Sequence, residues 1–341
     1  MKALIMTSMY PTPANPVCGT FIRTQVECLK KEGVDVELLL LRGRFRKWDY
    51  ARAIVQLRRE IARGSIDVVH AHYGFVGMVA RTQWKLPVVV TYHGGDLMGL
   101  VVNDRGGRAW SGPVTAAGGR VLARSIDASI VQSVEMANLL DAPNVFVIPH
   151  EVDFDVFHPL ARDQARAALG LQADRKYLLF AAHPTNWVKR FSLAQAVAEA
   201  LSARDASIEL LVVYKEPQAR LALYMNACDA LVFPSYMEGS PNVVKQAMAC
   251  NLPIVATDVG DVREIIGKTQ GCYVCRPDIQ EFVRALDHIL VDRARTRGHE
   301  HVRHLAGPAV AQQIIQVYEH VLRNGRTRTV TEQRPALPEA M

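Results

Sequence analysis

The stretch FPSYMEGSPNVVKQAMACNLPIVATDVGD, residues 233–261, decides the fold. An apolar run ends at Pro234, a polar loop carries Glu238, Gly239, Ser240 and Pro241, and helical spacing begins at Asn242 with a proline at its entry. A second β-branched run follows at 253–257. Several backbone N–H groups at this helix start have no intrahelical acceptor, which suits phosphate or hydroxyl oxygens. Glu238 before the helix and Gln246 one turn into it can face one ligand with hydrogen-bonding groups. From this stretch alone, a helix start whose acid simply favours the positive dipole end reads equally well.

The same alternation extends to both sides. Apolar runs at 177–182, 208–214 and 230–233 precede the stretch, with helical spacing at 192–203 and 218–227, and a further helix is expected near 279–290. The first half repeats the pattern with runs at 3–7, 34–41, 67–72, 87–93, 128–132 and 145–149. Between them, Ile22, Val26 and Leu29 recur at helical spacing. Short continuous apolar runs bounded by turn residues read as strands buried on both faces, so the fold class is α/β, with two doubly wound parallel-sheet domains of the Rossmann type. The polar, proline-bounded passage 149–159 marks the crossing between them. We expect a first domain over 1–155, a second over 156–306, a helix over 307–323 that can return to the first domain, and a disordered tail over 324–341. Two such domains facing each other place the carboxyl ends of both sheets on one cleft.

A chain of 341 residues accommodates two ordinary domains. With 49% hydrophobic and 22% charged residues it is neither disordered, collagen-like nor coiled coil. No apolar run approaches the roughly 18 residues of a membrane span, and residues 1–10 lack the zones of a signal peptide. The expected location is therefore the cytoplasm, extending to the inner face of the membrane. The formal charge of +6 suits an anionic small molecule or membrane surface and does not call for nucleic acid. Six scattered cysteines read as reduced thiols. No metal site is expected: HEHVR at 299–303 ends in Arg303 where a zinc-binding helix needs a second histidine.

Glu238-Gly-Ser-Pro-Asn-Val-Val-Lys-Gln-Ala-Met-Ala-Cys-Asn-Leu-Pro resembles the signature loop and helix of the retaining glycosyltransferases of family 4, which have the GT-B fold of two facing Rossmann-like domains. The likeness reaches to about Arg323. It takes in SMYP at 8–11 with NPVCGTF at 15–21, VVHAHYG at 68–74, VTYHGGD at 90–96, IPHEVD at 148–153 and YMNACDALVFPS at 224–235, all in the family's order.

The resemblance implies a site position by position. Glu238 would contact hydroxyls of the donor sugar, and Gln246 stands where the family has a glutamate for the ribose hydroxyls. The loop of Ser235, Gly239, Ser240, Pro241, Asn242 and Val243 would meet the diphosphate, proline itself lacking a donor. Lys189 matches the family lysine that pairs with the diphosphate, His183 stands in place of an arginine, and adjacent Arg190 can compensate. Gly19 resembles the glycine beneath the donor, and His93 the histidine that approaches the transferred sugar. His70 and His72, alternating within a strand, read as packed core histidines.

Arg44, Arg46, Lys47 and Trp48 mix basic and aromatic side chains near a helix, which suits an anionic bilayer or a lipid-linked acceptor, and Asp96 belongs with them on the acceptor side. A solvated arginine-rich face is the commoner explanation of the first four. The function implied is transfer of a sugar from a nucleotide diphosphate, a UDP-sugar before a GDP-sugar, to a hydroxyl of a glycan or lipid-linked acceptor, with His93, Glu238 and Lys189 as the catalytic group and no further cofactor. The alternatives are a nucleotide-sugar binding protein without transfer activity, to which His183, Gln246 and Glu151 point, and a GT-B-fold sugar epimerase.

Overall fold

The computed structural model describes residues 1–41, 47–99, 102–103, 107 and 112–331, the side chains of Lys47 and of residues 325–331 excepted. Six strands form the first sheet: β1 (Lys2–Thr7), β2 (Asp35–Leu40), β3 (Val68–His72), β4 (Val88–Thr91), β5 (Ala128–Val131) and β6 (Val145–Val147). Five form the second: β7 (Lys176–Phe180), β8 (Ile208–Val212), β9 (Ala230–Phe233), β10 (Ile254–Thr257) and β11 (Cys272–Cys275). Every pairing is parallel, in the orders β2-β1-β3-β4-β5-β6 and β11-β10-β9-β7-β8. The expected pair of α/β parallel sheets is what the chain forms.

The helices of the first domain are α1 (Thr20–Lys31), α2 (Lys47–Ala62), α3 (Gly74–Ala80), α4 (Gly95–Met98), α5 (Gly112–Ala123) and α6 (Val134–Ala137). Those that follow are α7 (Arg162–Leu169), α8 (Phe191–Ser202), α9 (Gln218–Ala227), α10 (Asn242–Ala249), α11 (Val262–Ile266), α12 (Ile279–Asp292), α13 (Gly298–His301) and α14 (Gly307–Thr331). Helices cover both faces of each sheet, so strands such as Val88–Thr91 and Ala230–Phe233 are buried throughout and read as unbroken apolar runs. Val310, Ile314 and Tyr318 of α14 pack with Ile22, Val26 and Leu29 of α1, which brings the end of the chain back onto the first sheet.

Several elements have no specific counterpart in the sequence reading, among them the short helices α3, α4, α6 and α13, the helix α5, and α7, β11 and α11. α7 buries only Ala165 and Arg166, β11 is half-buried along its length, and α11 is a single turn. The tail is a correction: α14 continues to Thr331 where disorder is expected from 324, because nothing in 324–331 forbids a helix already anchored by packing upstream. Residues 332–341 lie outside the described residues.

The order of each sheet reverses beside its first strand, between β1 and β3 and between β7 and β9. A reversal leaves a crevice at the carboxyl ends of the two strands, because their connections leave in opposite directions. The loops after β1, β3, β7 and β9 therefore frame the ligand sites.

Candidate active site

The second domain contributes two of these loops. After β7 the chain turns through a 3₁₀ segment, Trp187–Lys189, and Arg190 takes a left-handed conformation (φ 51°) to open α8. After β9 comes the loop of the quoted stretch. A hydrogen bond from Tyr236 N–H to the Val188 carbonyl (2.9 Å) ties them together, and Lys189 Nζ lies 2.6 Å from Glu238 Oε1. These two residues, assigned to separate partners by the resemblance, form one ion pair. Arg190 lies over the Tyr236 ring at 4.4 Å.

Pro241 caps α10 without a side-chain hydrogen bond, leaving the Asn242 and Val243 N–H groups at an open helix start. Ser240 Oγ donates to Asp261 Oδ2 (2.5 Å), and Thr257 Oγ1 donates to the Ser235 carbonyl (2.6 Å), which sets the width of the loop. Ser235 is buried, and Gln246 is half-buried one turn into the helix. His183 is held apart by its own turn: the Thr185 N–H donates to Nδ1 (3.1 Å) and the ring meets Tyr214 edge-on. In the neutral ring the proton therefore sits on Nε2, so His183 offers a ligand one donor where an arginine would offer a charged fork.

At Gly239 the second domain comes close to the first. A Cβ on it would lie 2.7 Å from Met136 Sδ, the end of a flexible side chain, and 3.6 Å from Gly94 Cα, an ordinary contact distance, so the two backbones pass close together here. Beside this contact a cleft of about 480 Å³ opens between Leu97, Met98 and Arg120 of the first domain and Tyr236, Glu238 and Gly260 of the second. A cavity of about 400 Å³ that includes Arg190 and Ser235 adjoins it at Tyr236, Asp258 and Val259.

On the first domain, Gly19 opens α1 with φ 66°, and a Cβ there would stand 2.6 Å from the Met9 carbonyl oxygen. The close approach that makes glycine necessary is thus that of the chain's own β1 loop. His93 follows β4 with both ring nitrogens engaged, Nε2 at 3.1 Å from His72 Nδ1 and Nδ1 at 3.1 Å from His150 Nε2. Burial, joined by neighbouring imidazoles and, for His150, by the charge of Lys245, holds all three imidazoles well below the usual histidine range, so they are neutral. His70 is a core histidine as read, bonded to Tyr318 Oη (2.6 Å) and Thr91 Oγ1 (2.7 Å). Asp96, placed on the acceptor side by the sequence, is buried and uses its carboxylate on the fold: Oδ1 accepts from His93 N–H and Oδ2 from Gly74 N–H. Burial raises it to about 6.

Arg44 and Arg46 lie outside the described residues, as does the side chain of Lys47. Trp48, in the first turn of α2, is 80% exposed. Sequence reasoning missed the junction partners of His93. His150 and Glu151 are buried where the chain crosses, and Lys245, fully buried in α10, donates to the His150 carbonyl (3.2 Å). Burial pushes Glu151 up to about 7 and Lys245 down to about 8. The available signal was Lys245 inside the apolar pattern of α10; His150 and Glu151 stand in the polar passage 149–159, where charged residues draw no notice.

Comparison with known proteins fits this geometry. Residues 17–152 match the glycosyl transferase 4-like domain and residues 176–292 match the glycosyl transferases group 1. This chain belongs to the GT-B glycosyltransferases of the family 4-like type. Among its relatives is the D-inositol 3-phosphate glycosyltransferase of Mycobacterium marinum, 30% identical over 71% of this chain and 60% of that protein. Another is the teichuronic acid biosynthesis glycosyltransferase TuaC of Bacillus subtilis, 24% identical over 84% of this chain and 88% of the relative. The chain thus spans about 60% of the length of the mycobacterial relative. Its fold is shared with sucrose-phosphate synthase from Thermosynechococcus elongatus, with TM-score 0.78 and 20% identity over 95% of this chain and 100% of that one. It is shared also with Anabaena Alr3699/HepE in complex with UDP-glucose, with TM-score 0.65 and 13% identity over 96% of this chain and 100% of that one. No helix among the described residues is long and apolar enough to cross a membrane.

Proposed function

We propose that this chain is a retaining glycosyltransferase that moves a sugar from a nucleotide diphosphate, a UDP-sugar before a GDP-sugar, to a hydroxyl of a glycan or lipid-linked acceptor, without a divalent ion or other cofactor. The observation that carries the reading is the Lys189–Glu238 pair, 2.6 Å apart, on loops that also present the open start of α10. A diphosphate entering that space brings more negative charge than one carboxylate and attracts Lys189 away from Glu238, while like-charge repulsion turns Glu238 toward the sugar hydroxyls. The difficult event is departure of the diphosphate as positive charge grows on the anomeric carbon. Lys189, Arg190 and the Asn242 and Val243 N–H groups would stabilise the leaving oxygens. Gln246 is placed to meet the ribose, and the His93 turn forms the wall of the first domain. The leaving phosphate can itself take the acceptor proton on the face it leaves, so no protein base is needed.

The name of the teichuronic acid biosynthesis relative supports an acceptor of polysaccharide assembly, and the complex of HepE with UDP-glucose supports a uridine donor. The exposed Trp48 beside a basic segment is compatible with contact at the cytoplasmic face of an anionic membrane. The test is turnover of a panel of UDP- and GDP-sugars. We expect Lys189→Ala and Glu238→Ala each to lower kcat/KM for the preferred donor by about 100-fold or more. Full rates in both variants, or tight donor binding by the native chain with neither transfer nor hydrolysis, would overturn the reading, the latter in favour of a binding protein.

A further inference from the structure

His93 is the middle member of a series of three imidazoles. The bonds on its two nitrogens, to His72 and to His150, are both 3.1 Å, and the His93 and His150 rings are nearly parallel, 8° apart. The outer nitrogens, His72 Nε2 and His150 Nδ1, are buried without a hydrogen-bond partner among the described residues. Each neutral ring carries one N–H, so two bonds in series require all three to point the same way. Only two arrangements satisfy this. Either His72 donates to His93 Nε2 and His93 Nδ1–H donates to His150, or His150 donates to His93 Nδ1 and His93 Nε2–H donates to His72.

Lys245 distinguishes them. Its ammonium, from the second domain, is anchored on the His150 carbonyl, and its charge acts on the His150 ring. A cation at that end favours a lone pair over a proton on the outer nitrogen, His150 Nδ1, and so selects the second arrangement. We propose that His150 and Lys245 are positioning residues for His93: they fix its imidazole with the proton on Nε2, and thereby hold the turn from His93 to Asp96 against the Gly239 loop when the two domains are together. The turn is otherwise secured by Asp96, which accepts from the His93 N–H (3.0 Å), and Gly94 faces Gly239 across the domain gap. In this account the second domain reports its position to the wall of the first through one buried lysine. The kinetic consequence rests on the glycosyltransferase reading above; the protonation pattern does not.

The experiment is nitrogen-15 NMR of the full chain labelled at histidine, with His93 assigned by its loss in His93→Gln, alongside donor kinetics. In the native chain we expect His93 neutral, with a protonated Nε2 and a lone pair on Nδ1. Lys245→Gln keeps a donor for the His150 carbonyl and removes the charge, so the proton should move partly or wholly to Nδ1. Lys245→Met replaces it if the glutamine variant does not fold. His150→Asn should shift both His93 nitrogens and lower kcat by about 10-fold or more, with KM for the nucleotide sugar changed by less than about threefold. A native His93 protonated on Nδ1, His93 resonances unmoved by both substitutions, or native kcat in His150→Asn would overturn the proposal. If the native chain transfers no sugar, the glycosyltransferase reading fails while the spectra still decide the tautomer.

Discussion

Glu151 is buried with both carboxylate oxygens lacking a hydrogen-bond partner among the described residues, near a lysine that is itself fully buried. Burial raises it from 4.5 to about 7, so the folded chain holds a proton where the unfolded chain has lost it. The sign follows: the penalty of this carboxyl is absent below about pH 4.5, grows as pH rises toward 7, and is complete above that. Lys245, lowered to about 8, adds no pH dependence in that window because it is protonated in both states. Glu151→Gln should therefore gain stability over the native chain on going from about pH 5 to pH 7, by on the order of 2 kcal/mol, read from urea unfolding at both values. A difference constant with pH would show that the carboxyl titrates normally. At this scale the sequence was legible where one motif held the whole feature, as with the open start of α10. It was not legible for the His93 series, because His72, His93 and His150 come from three strand ends that only the sheet order makes neighbours.

The elements hold the site through a few buried connections. Asp229, fully buried at the start of β9, pairs with Arg166 of α7, with Arg162, also of α7, and with Arg293 beyond α12, and accepts the Tyr177 N–H of β7. Removing that one charge leaves three arginines uncompensated. Asp229→Asn should cost about 3 kcal/mol or more in chemical denaturation, and a loss within about 1 kcal/mol would show that the arginines find other acceptors. The donor loop is braced differently: Gly260 has φ 56° and a Cβ on it would stand 2.5 Å from the Gly239 carbonyl oxygen, so Gly260→Ala must displace the Glu238–Gly239 backbone and we expect donor turnover to fall by about 10-fold or more. Unchanged turnover would mean that the loop has room to move. Every strand but β11 was legible as an apolar or β-branched run, most plainly those buried on both faces, such as β4 and β9. β11 is short, half-buried and cysteine-rich, and α7 turns mostly polar residues to solvent around one buried arginine, so hydrophobic periodicity carried no signal for either.

At the scale of the whole molecule, α14 closes the chain on the domain where it began, and its Tyr318 bonds the core histidine His70. A chain ending at residue 306 exposes the apolar face of α1 and should fail to fold the first domain, seen as loss of cooperative thermal unfolding and early aggregation; a cooperative transition equal to that of the full chain would show that α14 is dispensable. The two-sheet architecture was legible because each half repeats one grammar, whereas the meeting of the halves was not, since it depends on glycine contacts and buried charges that a linear pattern does not display. The central claim is that a nucleotide diphosphate is held between those halves by Lys189 and the open start of α10, without a metal ion. Titration calorimetry of UDP and GDP against the native chain and Lys189→Ala, in chelator and again with magnesium, tests it most directly. The account predicts binding in chelator that weakens by about 10-fold or more in the variant; binding that appears only with magnesium, or that Lys189→Ala leaves intact, would contradict it.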